Sequence, residues 1–297
     1  MEQTKKSQKK SFTGILLVVI FFIGLLVMLY PTIADYVNSK VQSRAIIDYE
    51  AALKNMTAED FSSYFVAADE YNSKIRNVSF PFMYYDEVPG YEETLNVDGR
   101  GIMGYIDIEK IRVELPIYHT TSNQVLNKAV GHVQGSSLPT GGPSTHCVLS
   151  AHRGLPSAKL FTHLDKLEEG DIFTLTILDR VLTYQVDQVL IVEPDEVDEL
   201  YVVEGRDYCT LVTCTPYGIN TQRLLVRGER IETARPKPVI YVKNEGYIID
   251  PIIIAPAVAV PMLLILLVFL MVKYSKKTRK SPEETAKEIL GKNNDSE

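Results

Sequence analysis

Two apolar runs near the ends of the chain constrain its fold more than any other feature of the sequence. The first run, residues 14–30, has 17 uncharged positions, and the second, residues 251–272, has 22. About 20 apolar helical residues cross the hydrocarbon core of a bilayer. Two transmembrane helices are therefore predicted. The first run is short enough that a cleavable signal peptide is the alternative to a signal-anchor.

Lysine and arginine residues stand on the outer flank of each apolar run. They are Lys5, Lys6, Lys9 and Lys10 before the first run and Lys273, Lys276, Lys277, Arg279 and Lys280 after the second. Basic flanks stay on the cytoplasmic side of a membrane. We therefore predict a two-span protein of the cell membrane, with residues 1–13 and 273–297 cytoplasmic and residues 31–250 extracellular.

The segment between the two runs is strongly acidic. The whole chain has a net charge of −7, whereas residues 31–250 alone have −12. A nucleic-acid-binding surface needs excess positive charge to neutralise phosphates, so we exclude nucleic acid as a partner. The segment is long enough to form one domain with a substantial core.

The first part of this segment, residues 31–78, has the pattern of helices. Apolar residues recur at intervals of three or four, namely Val37, Val41, Ala45, Tyr49, Ala52 and Met56. Thr57 is followed by two carboxylates, as at a helix N-terminus, so we predict two helices separated near Met56. Residues 79–95 are rich in proline and aromatic residues and are predicted to form a loop.

From residue 96 the pattern changes to the short apolar or alternating runs that are typical of strands. The predicted strands are residues 102–108, 113–118, 145–150, 171–178, 181–192, 208–214 and 223–231. Short helices are predicted at residues 157–167 and 196–203. Many short strands with few helices favour a mainly β fold in residues 96–235, either a closed barrel or a sandwich. Residues 236–250 are then a linker to the second span.

Three side chains at the ends of predicted strands have the chemistry of a nucleophilic site. Cys214 closes one apolar strand, Arg223 opens the next, and His152 follows an earlier strand. A thiol attacks as a nucleophile, an imidazole transfers protons and a guanidinium stabilises an oxyanion. Spacing alone leaves the alternative open, because a lone cysteine in an apolar strand is more often a small core residue.

Sequence patterns for metal or phosphate binding are absent. The three cysteines lack Cys-x-x-Cys spacing, and the chain has no His-Glu-x-x-His motif, no EF-hand loop and no glycine-rich phosphate loop. We therefore predict no cofactor and no metal.

The residues around the three candidates resemble those of the sortase family. The chain reads Thr-Leu-Val-Thr-Cys up to Cys214, and an arginine, Arg223, follows nine residues later. Three further segments resemble the part of sortases that holds the histidine, namely residues 131–132, 137–139 and 146–156. The resemblance covers about residues 35–235.

One class of sortases is the most similar. Residues 96–106 resemble the start of the barrel in class C, the pilin-polymerising sortases, and a second span after the barrel is also typical of that class. The resemblance implies a mainly β fold, a closed sortase-type β-barrel with N-terminal helices, flanked by two transmembrane helices. The implied partners are pilin subunits with LPXTG-like sorting signals, and no cofactor is implied.

The resemblance also implies a role for each candidate. Cys214 would attack the Thr–Gly bond of the sorting signal and form an acyl-enzyme. His152 would protonate the departing amine and later accept a proton from the incoming one. Arg223 would bind the signal and stabilise the oxyanion. In class C the incoming nucleophile is a lysine of another pilin, so the product is an isopeptide bond.

Class C sortases usually carry a lid loop with an Asp-Pro-aromatic sequence over the site. Here the lid candidates are Phe80, Pro81 and Phe82, and Phe80 stands where the aspartate would be. The resemblance implies that Phe82 covers Cys214, whereas a salt bridge from the lid to Arg223 is not expected. The alternative is that the two phenylalanines only anchor the loop on the barrel.

The other two cysteines each precede a candidate catalytic residue by five positions. Cys147 lies five residues before His152, and Cys209 lies five before Cys214, so neighbouring strands would bring the two thiols together. An extracellular disulfide is one possibility. Two separate buried thiols are the favoured alternative, because a bridge demands strict geometry.

Three other functions are alternatives to pilin polymerisation. A sortase that attaches proteins to peptidoglycan has the same fold and chemistry. A non-catalytic membrane scaffold would bind sorting signals without cleaving them. A papain-like protease is disfavoured, because its cysteine precedes its histidine in the chain, whereas His152 precedes Cys214 here.

Overall fold

A computed structural model describes residues 12–233 and 260–265 of the chain. The chain divides into two compact units, one spanning Ile33–Val242 and the other combining Met1–Thr32 with Lys243–Glu297. The second predicted span, residues 251–272, lies outside the described residues except for 260–265, which are helical. Residues 1–11, the linker and the cytoplasmic tail also lie outside them. The predictions for these segments remain predictions.

The first helix, α1 (Phe12–Leu53), contains the first apolar run and the residues that follow it. Within its part Val19–Leu53, an 18-residue stretch has a mean hydropathy of 1.9, so the helix is long and apolar enough to cross a membrane. The helix is therefore suited to act as a membrane anchor. The predicted boundary between residues 30 and 31 is not a helix end, and Pro31 lies inside α1.

A second helix, α2 (Ala58–Ile75), begins where the sequence predicts it. Thr57 and Asp60 form a capping box, in which the Thr57 hydroxyl accepts a hydrogen bond from the Asp60 amide. The two exchange a second bond, because the Asp60 carboxylate accepts one from the Thr57 amide at 2.8 Å. These bonds satisfy backbone donors that have no partner within the helix, so α2 starts anew after the break near Met56.

Eight strands within the described residues close into a barrel. They are β1 (Ile102–Ile108), β2 (Val113–Tyr118), β3 (Val130–His132), β4 (Thr145–Ser150), β5 (Ile172–Ile177), β6 (Arg180–Val192), β7 (Asp207–Thr215) and β8 (Gln222–Ile231). Their order around the barrel is β1-β2-β3-β4-β7-β8-β6-β5, and β5 pairs back to β1. The β2–β3 and β4–β7 pairs are parallel. The predicted barrel is confirmed, and the seven predicted strands agree to within one residue at either end.

The barrel interior and the helices share one apolar core. Inward-facing strand residues such as Ile106, Phe173 and Leu211 are fully buried, and the buried face of α2 joins the same cluster. The helix α1 is attached by Tyr49, whose hydroxyl donates to the Met103 carbonyl at 2.9 Å and accepts from the Leu178 amide at 2.9 Å. Both hydrogen-bonding capacities of this buried hydroxyl are thus satisfied.

The predicted helix at residues 157–167 is wrong. The segment consists of turns, with one 3₁₀ turn at Leu164–Lys166. The Phe161 amide donates to the His152 carbonyl at 3.1 Å instead of to a carbonyl one helical turn earlier, and Leu160 has a φ of 40°. Long-range contacts therefore override the local helical pattern. The second short helix, at residues 196–203, is reduced to a 3₁₀ turn at Asp198–Leu200.

Candidate active site

Cys214 and Arg223 are cross-strand partners at one edge of the barrel. Cys214 is the last residue but one of β7, and it pairs with Arg223 near the start of β8. Directly opposed residues of an antiparallel pair have Cα atoms about 4.5–5.5 Å apart, and their side chains share one face. Cys214 is a free, half-buried thiol. The strand pairing thus brings two of the three predicted residues together.

His152 reaches the same edge through the parallel β4–β7 pair. The backbone pairing ends at Ser150 and Val212, so both strands end on the same side of the barrel. The Ala151 amide then donates to the Val212 carbonyl at 3.2 Å. Ala151 belongs to the core, and His152 follows it with a half-buried side chain. All three predicted residues therefore lie at one barrel edge.

Burial changes the acid–base properties of His152. Partial removal from water disfavours the charged imidazolium and lowers the pKa of His152 from its usual value. A histidine with a lowered pKa is a stronger acid when it is protonated. It is therefore suited to give a proton to a leaving group.

The guanidinium of Arg223 is held by the loop between β7 and β8. Its Nη1 donates to the Gln222 carbonyl at 3.0 Å and to the Asn220 carbonyl at 3.3 Å. The same side chain lines a cavity on the outer face of the barrel. Arg223 therefore borders this cavity and is also the cross-strand partner of Cys214.

An apolar groove of about 210 Å³ covers the outer face of β4, β7 and β8. Alternate residues of these strands form its floor, because strand side chains alternate between two faces. The groove is lined by Val148, Val212, Leu225, Val133, Val197 and Leu200, with Arg223 at one end. Cys214 follows Val212 by two positions, so the two side chains lie on the same face of β7. The groove is suited to hold the apolar side chains of an extended peptide next to the thiol.

Sequence reasoning did not find this groove. Its walls come from three distant parts of the chain, the β3–β4 loop, the β6–β7 loop and the lid segment. The sequence signal nearest to it is the apolar pattern of residues 196–203, which predicts a short helix. The sequence predicts the strands β7 and β8, but it does not show which loops pack against their outward-facing apolar residues.

The lid candidates have different surroundings. Phe82 lines the groove together with Arg223, and its ring contacts the Tyr201 ring edge-to-face at 5.6 Å between centroids. Phe80, in contrast, is 66% exposed and has a φ of 56°. Phe82 therefore anchors the loop over the groove, whereas Phe80 points to solvent.

The backbone of the lid lies directly on the β3–β4 loop at Gly135. A Cβ atom on Gly135 would lie 2.5 Å from the Pro81 carbonyl oxygen, and Gly135 has a φ of 93°. Only glycine fits such a close approach in the left-handed region without strain. This contact places Pro81 against the β3–β4 loop, next to Phe82.

Cys147 and Cys209 are direct partners in the β4–β7 pair. Both side chains are buried in the barrel interior, and both are free thiols. The prediction that the strands bring them together is confirmed. The structure shows no disulfide between them, but the two thiols are direct neighbours instead of being apart. Among the described residues, no group of histidine, cysteine and carboxylate side chains is arranged to hold a metal ion.

Comparisons with known proteins agree with this geometry. A family model described as Sortase domain matches residues 106–231. Sortase D from Bacillus subtilis (strain 168) is 30% identical over 131 residues, which are 43% of this chain and 63% of that protein. The chain therefore spans less than two thirds of the length of this curated relative.

Solved structures are similar over nearly their whole length. Sortase C1 from Streptococcus agalactiae is 47% identical with a TM-score of 0.59, covering 64% of this chain and 99% of that one. Sortase C from Streptococcus pneumoniae, whose structure is reported to bear on catalysis and pilin substrate specificity, is 41% identical with a TM-score of 0.58, covering 64% and 97%. The chain belongs to the sortase family of cysteine transpeptidases, and its structural neighbours are class C sortases.

Proposed function

We propose that this chain cleaves an LPXTG-like sorting signal and joins pilin subunits through a lysine isopeptide bond. The observation that carries the proposal is the placement of a thiol, an imidazole and a guanidinium at one barrel edge, with the guanidinium lining an apolar groove. Cys214 pairs with Arg223 across β7 and β8, and His152 follows the end of the adjacent β4. Nucleophile, proton carrier and oxyanion donor are the parts that acyl transfer needs.

In the first half-reaction, the sulfur of Cys214 attacks the threonine carbonyl of the signal as a thiolate, while His152 is protonated. A carbon–sulfur bond forms, the Thr–Gly carbon–nitrogen bond breaks, and His152 gives its proton to the departing glycine amine. Arg223 donates hydrogen bonds to the peptide and to the oxyanion. The product is a thioester on Cys214 with a neutral His152 beside it.

In the second half-reaction, the lysine amine of another pilin attacks the thioester. His152 accepts a proton from this amine, the carbon–sulfur bond breaks and an amide bond forms between the threonine carbonyl and the lysine. His152 is protonated again at the end. One residue therefore serves as acid and then as base.

The groove supplies the recognition of the sorting signal. An extended peptide places alternate side chains on one face, which matches an apolar groove on the outer face of a sheet. The groove ends at Arg223, so a peptide lying in it would present its carbonyl near Cys214. We infer that the leucine and proline of the signal occupy the groove.

The proposed location is the outer face of the cell membrane. The helix α1 is long enough to be a membrane anchor. Basic residues precede the first apolar run and follow the second, which favours a cytoplasmic location for both chain ends. Pilins with uncleaved sorting signals would be tethered to the same surface. Tethering raises the effective concentration, so a shallow groove of modest affinity is sufficient.

We further propose that Phe82 occupies the part of the groove that the sorting signal needs. Its ring lines the groove beside Val212 and Arg223. The lid must then leave before a signal binds, and part of the binding free energy is spent on displacing it.

Attachment of proteins to peptidoglycan is the rival function, and the similarity to the Streptococcus pneumoniae enzyme favours pilins. The full chain in detergent is incubated with a pilin subunit and with a soluble peptidoglycan stem peptide, and crosslinks are mapped by mass spectrometry. We expect threonine–lysine isopeptides between pilins. Products with the stem-peptide amine alone would support wall attachment. Binding of the signal without cleavage would support a scaffold.

A further inference from the structure

The β4–β7 pairing continues beyond its last backbone pair through side chains. Backbone partners in this pair differ by 62 in residue number, for example Cys147 with Cys209. The Thr213 hydroxyl donates to the Ala151 carbonyl at 2.8 Å, which preserves the same difference. The alignment of the two strands is therefore maintained where the backbone ladder has ended.

A second side-chain bond preserves the alignment two positions later. Nη1 of Arg153 donates to the Thr215 hydroxyl at 3.2 Å, and these residues also differ by 62. His152 and Cys214 have the same difference and lie between the two bonds. Each of them has a bonded neighbour immediately before it and immediately after it.

Arg153 is held from two further sides. Its Nη2 forms an ion pair with Asp165 at 2.6 Å, and the guanidinium lies 5.9 Å from the centre of the Tyr217 ring. The side chain is only 8% exposed. The Gly154 backbone packs closely on the same ring, since a Cβ there would lie 3.0 Å from it. The guanidinium thus connects the segment after His152 to the loop after Cys214.

We propose that Arg153 is a positioning residue that holds His152 opposite Cys214. This inference rests on the roles proposed above for these two residues. A guanidinium is planar and offers several donors in fixed directions, so it binds Thr215 and Asp165 at the same time. A lysine has the same charge but binds as a single point, so it cannot maintain both contacts with the same geometry.

The kinetic experiment uses the full chain in detergent and a fluorogenic LPXTG peptide. In Arg153→Lys we expect kcat to fall about 10- to 100-fold with little change in KM, because a misplaced proton carrier slows chemistry more than binding. Thr215→Val removes only the acceptor hydroxyl and lowers kcat in the same direction. Thr215→Ser retains the hydroxyl and restores kcat to within about threefold of the wild type.

A matched control separates positioning from stability. Arg227 also combines an ion pair, to Asp187 at 2.8 Å, with an aromatic contact, to Tyr208 at 4.3 Å. It lies four residues beyond Arg223 on β8. We expect Arg227→Lys to lower Tm about as much as Arg153→Lys while kcat stays unchanged. Equal losses of kcat in the two variants would overturn the proposal.

A substrate-free measurement gives the second readout. The rate at which iodoacetamide alkylates Cys214 is followed against pH, and the modified cysteine is identified by peptide mass spectrometry. His152→Gln removes the imidazole, whose N–H stabilises the thiolate in either protonation state of the ring, so the pH of half-maximal alkylation rises. We expect Arg153→Lys to move this pH toward the value of His152→Gln, and Thr215→Val to move it in the same direction.

The possible outcomes are distinct. A profile in Arg153→Lys and Thr215→Val that coincides with the wild type, while that of His152→Gln is shifted, overturns the positioning role alone. An unshifted profile in His152→Gln overturns the proposed pairing of His152 with Cys214, and the inference fails with it. If Arg153→Lys does not fold, as judged by circular dichroism, Thr215→Val decides.

Discussion

Two cysteines on the same strand have opposite surroundings. Cys209 and Cys214 both lie on β7, five residues apart, and an odd interval on a strand places side chains on opposite faces. Cys209 is fully buried in the barrel next to Cys147, whereas Cys214 is half-buried at the barrel edge beside Arg223. The residue type is the same in both cases. The face of the strand and the distance from the strand end therefore decide which thiol is available for chemistry.

The neighbouring strand has a similar arrangement, with His152 two residues beyond the end of β4. Cys147 and the position of His152 are also five residues apart, and the β4–β7 alignment pairs Cys147 with Cys209. Two thiols therefore lie in the barrel interior, and a thiol and an imidazole lie at the barrel edge. The interior thiols contribute to packing, because a buried thiol behaves as a small apolar group.

The largest expected effect comes from removing the edge thiol. Cys214→Ala should lower the rate of sorting-peptide cleavage by more than about 10³-fold, because the thioester can no longer form. Cleavage is measured by fluorescence and checked by mass spectrometry of the products. A variant that retains more than a tenth of the wild-type rate would contradict the assignment of the nucleophile.

A smaller loss is expected when the proton carrier is removed. His152→Gln should lower kcat by about 10²–10⁴-fold, which is the usual contribution of a positioned acid–base group. Arg223 and Cys214 are unchanged in this variant, so peptide binding should persist. Retention of full kcat would show that another group transfers the proton.

The pH dependence of the wild type sharpens the role of His152. Burial lowers the pKa of His152, so the imidazole loses its proton at a lower pH than usual. Activity requires opposite protonation states of the thiol and the imidazole, and the acid limb of kcat/KM reports the group that loses its proton first. We expect this limb to lie below a pH of about 6.5, the usual pKa of histidine. An acid limb above that value would contradict the assignment.

Truncation of the lid residue Phe82 is expected to raise kcat/KM several-fold. Phe82→Ala empties part of the groove, so a sorting peptide no longer has to displace the ring, and kcat/KM should rise about three- to tenfold. Phe80→Ala is the matched control, since Phe80 is largely exposed and lies outside the groove lining. Equal effects of the two variants would mean that Phe82 does not compete with the peptide.

The smallest effect on activity is expected from the interior thiol. Cys209→Ala removes one buried sulfur and should lower the free energy of unfolding by about 1 kcal/mol, since the neighbouring core relaxes only in part. Its kcat should equal that of the wild type. Urea unfolding with the same sorting-peptide assay tests both statements, and a large loss of kcat would contradict the separation of the two faces.

The sequence predicted most of the barrel, because seven strands are long enough to show alternation or an apolar run. It did not predict β3, since the three residues Val130–His132 are too few to show a period. The helix predicted at residues 157–167 failed because Phe161 bonds to the His152 carbonyl, a contact that no local pattern reveals. That same contact supports the segment that carries the histidine.

The three candidate catalytic residues could be predicted from the sequence, whereas their surroundings could not. Cys214, His152 and Arg223 follow from strand ends and from the sortase-like sequence around them, and the structure brings them to one edge. The groove and Arg153 were not predicted, because their contacts join segments far apart in the chain. Arg153 pairs with Asp165 and Thr215, and neither partner is marked by the spacing of the sequence.

The most direct test of the central claim is to identify the thiol that carries the acyl group. The full chain is mixed with a sorting peptide at neutral pH and then acidified to slow hydrolysis, and the trapped protein is digested and analysed by mass spectrometry. We predict a thioester between the peptide's threonine and Cys214, with Cys147 and Cys209 unmodified. A thioester on either interior thiol, or cleavage by a Cys214→Ala protein, would contradict the account.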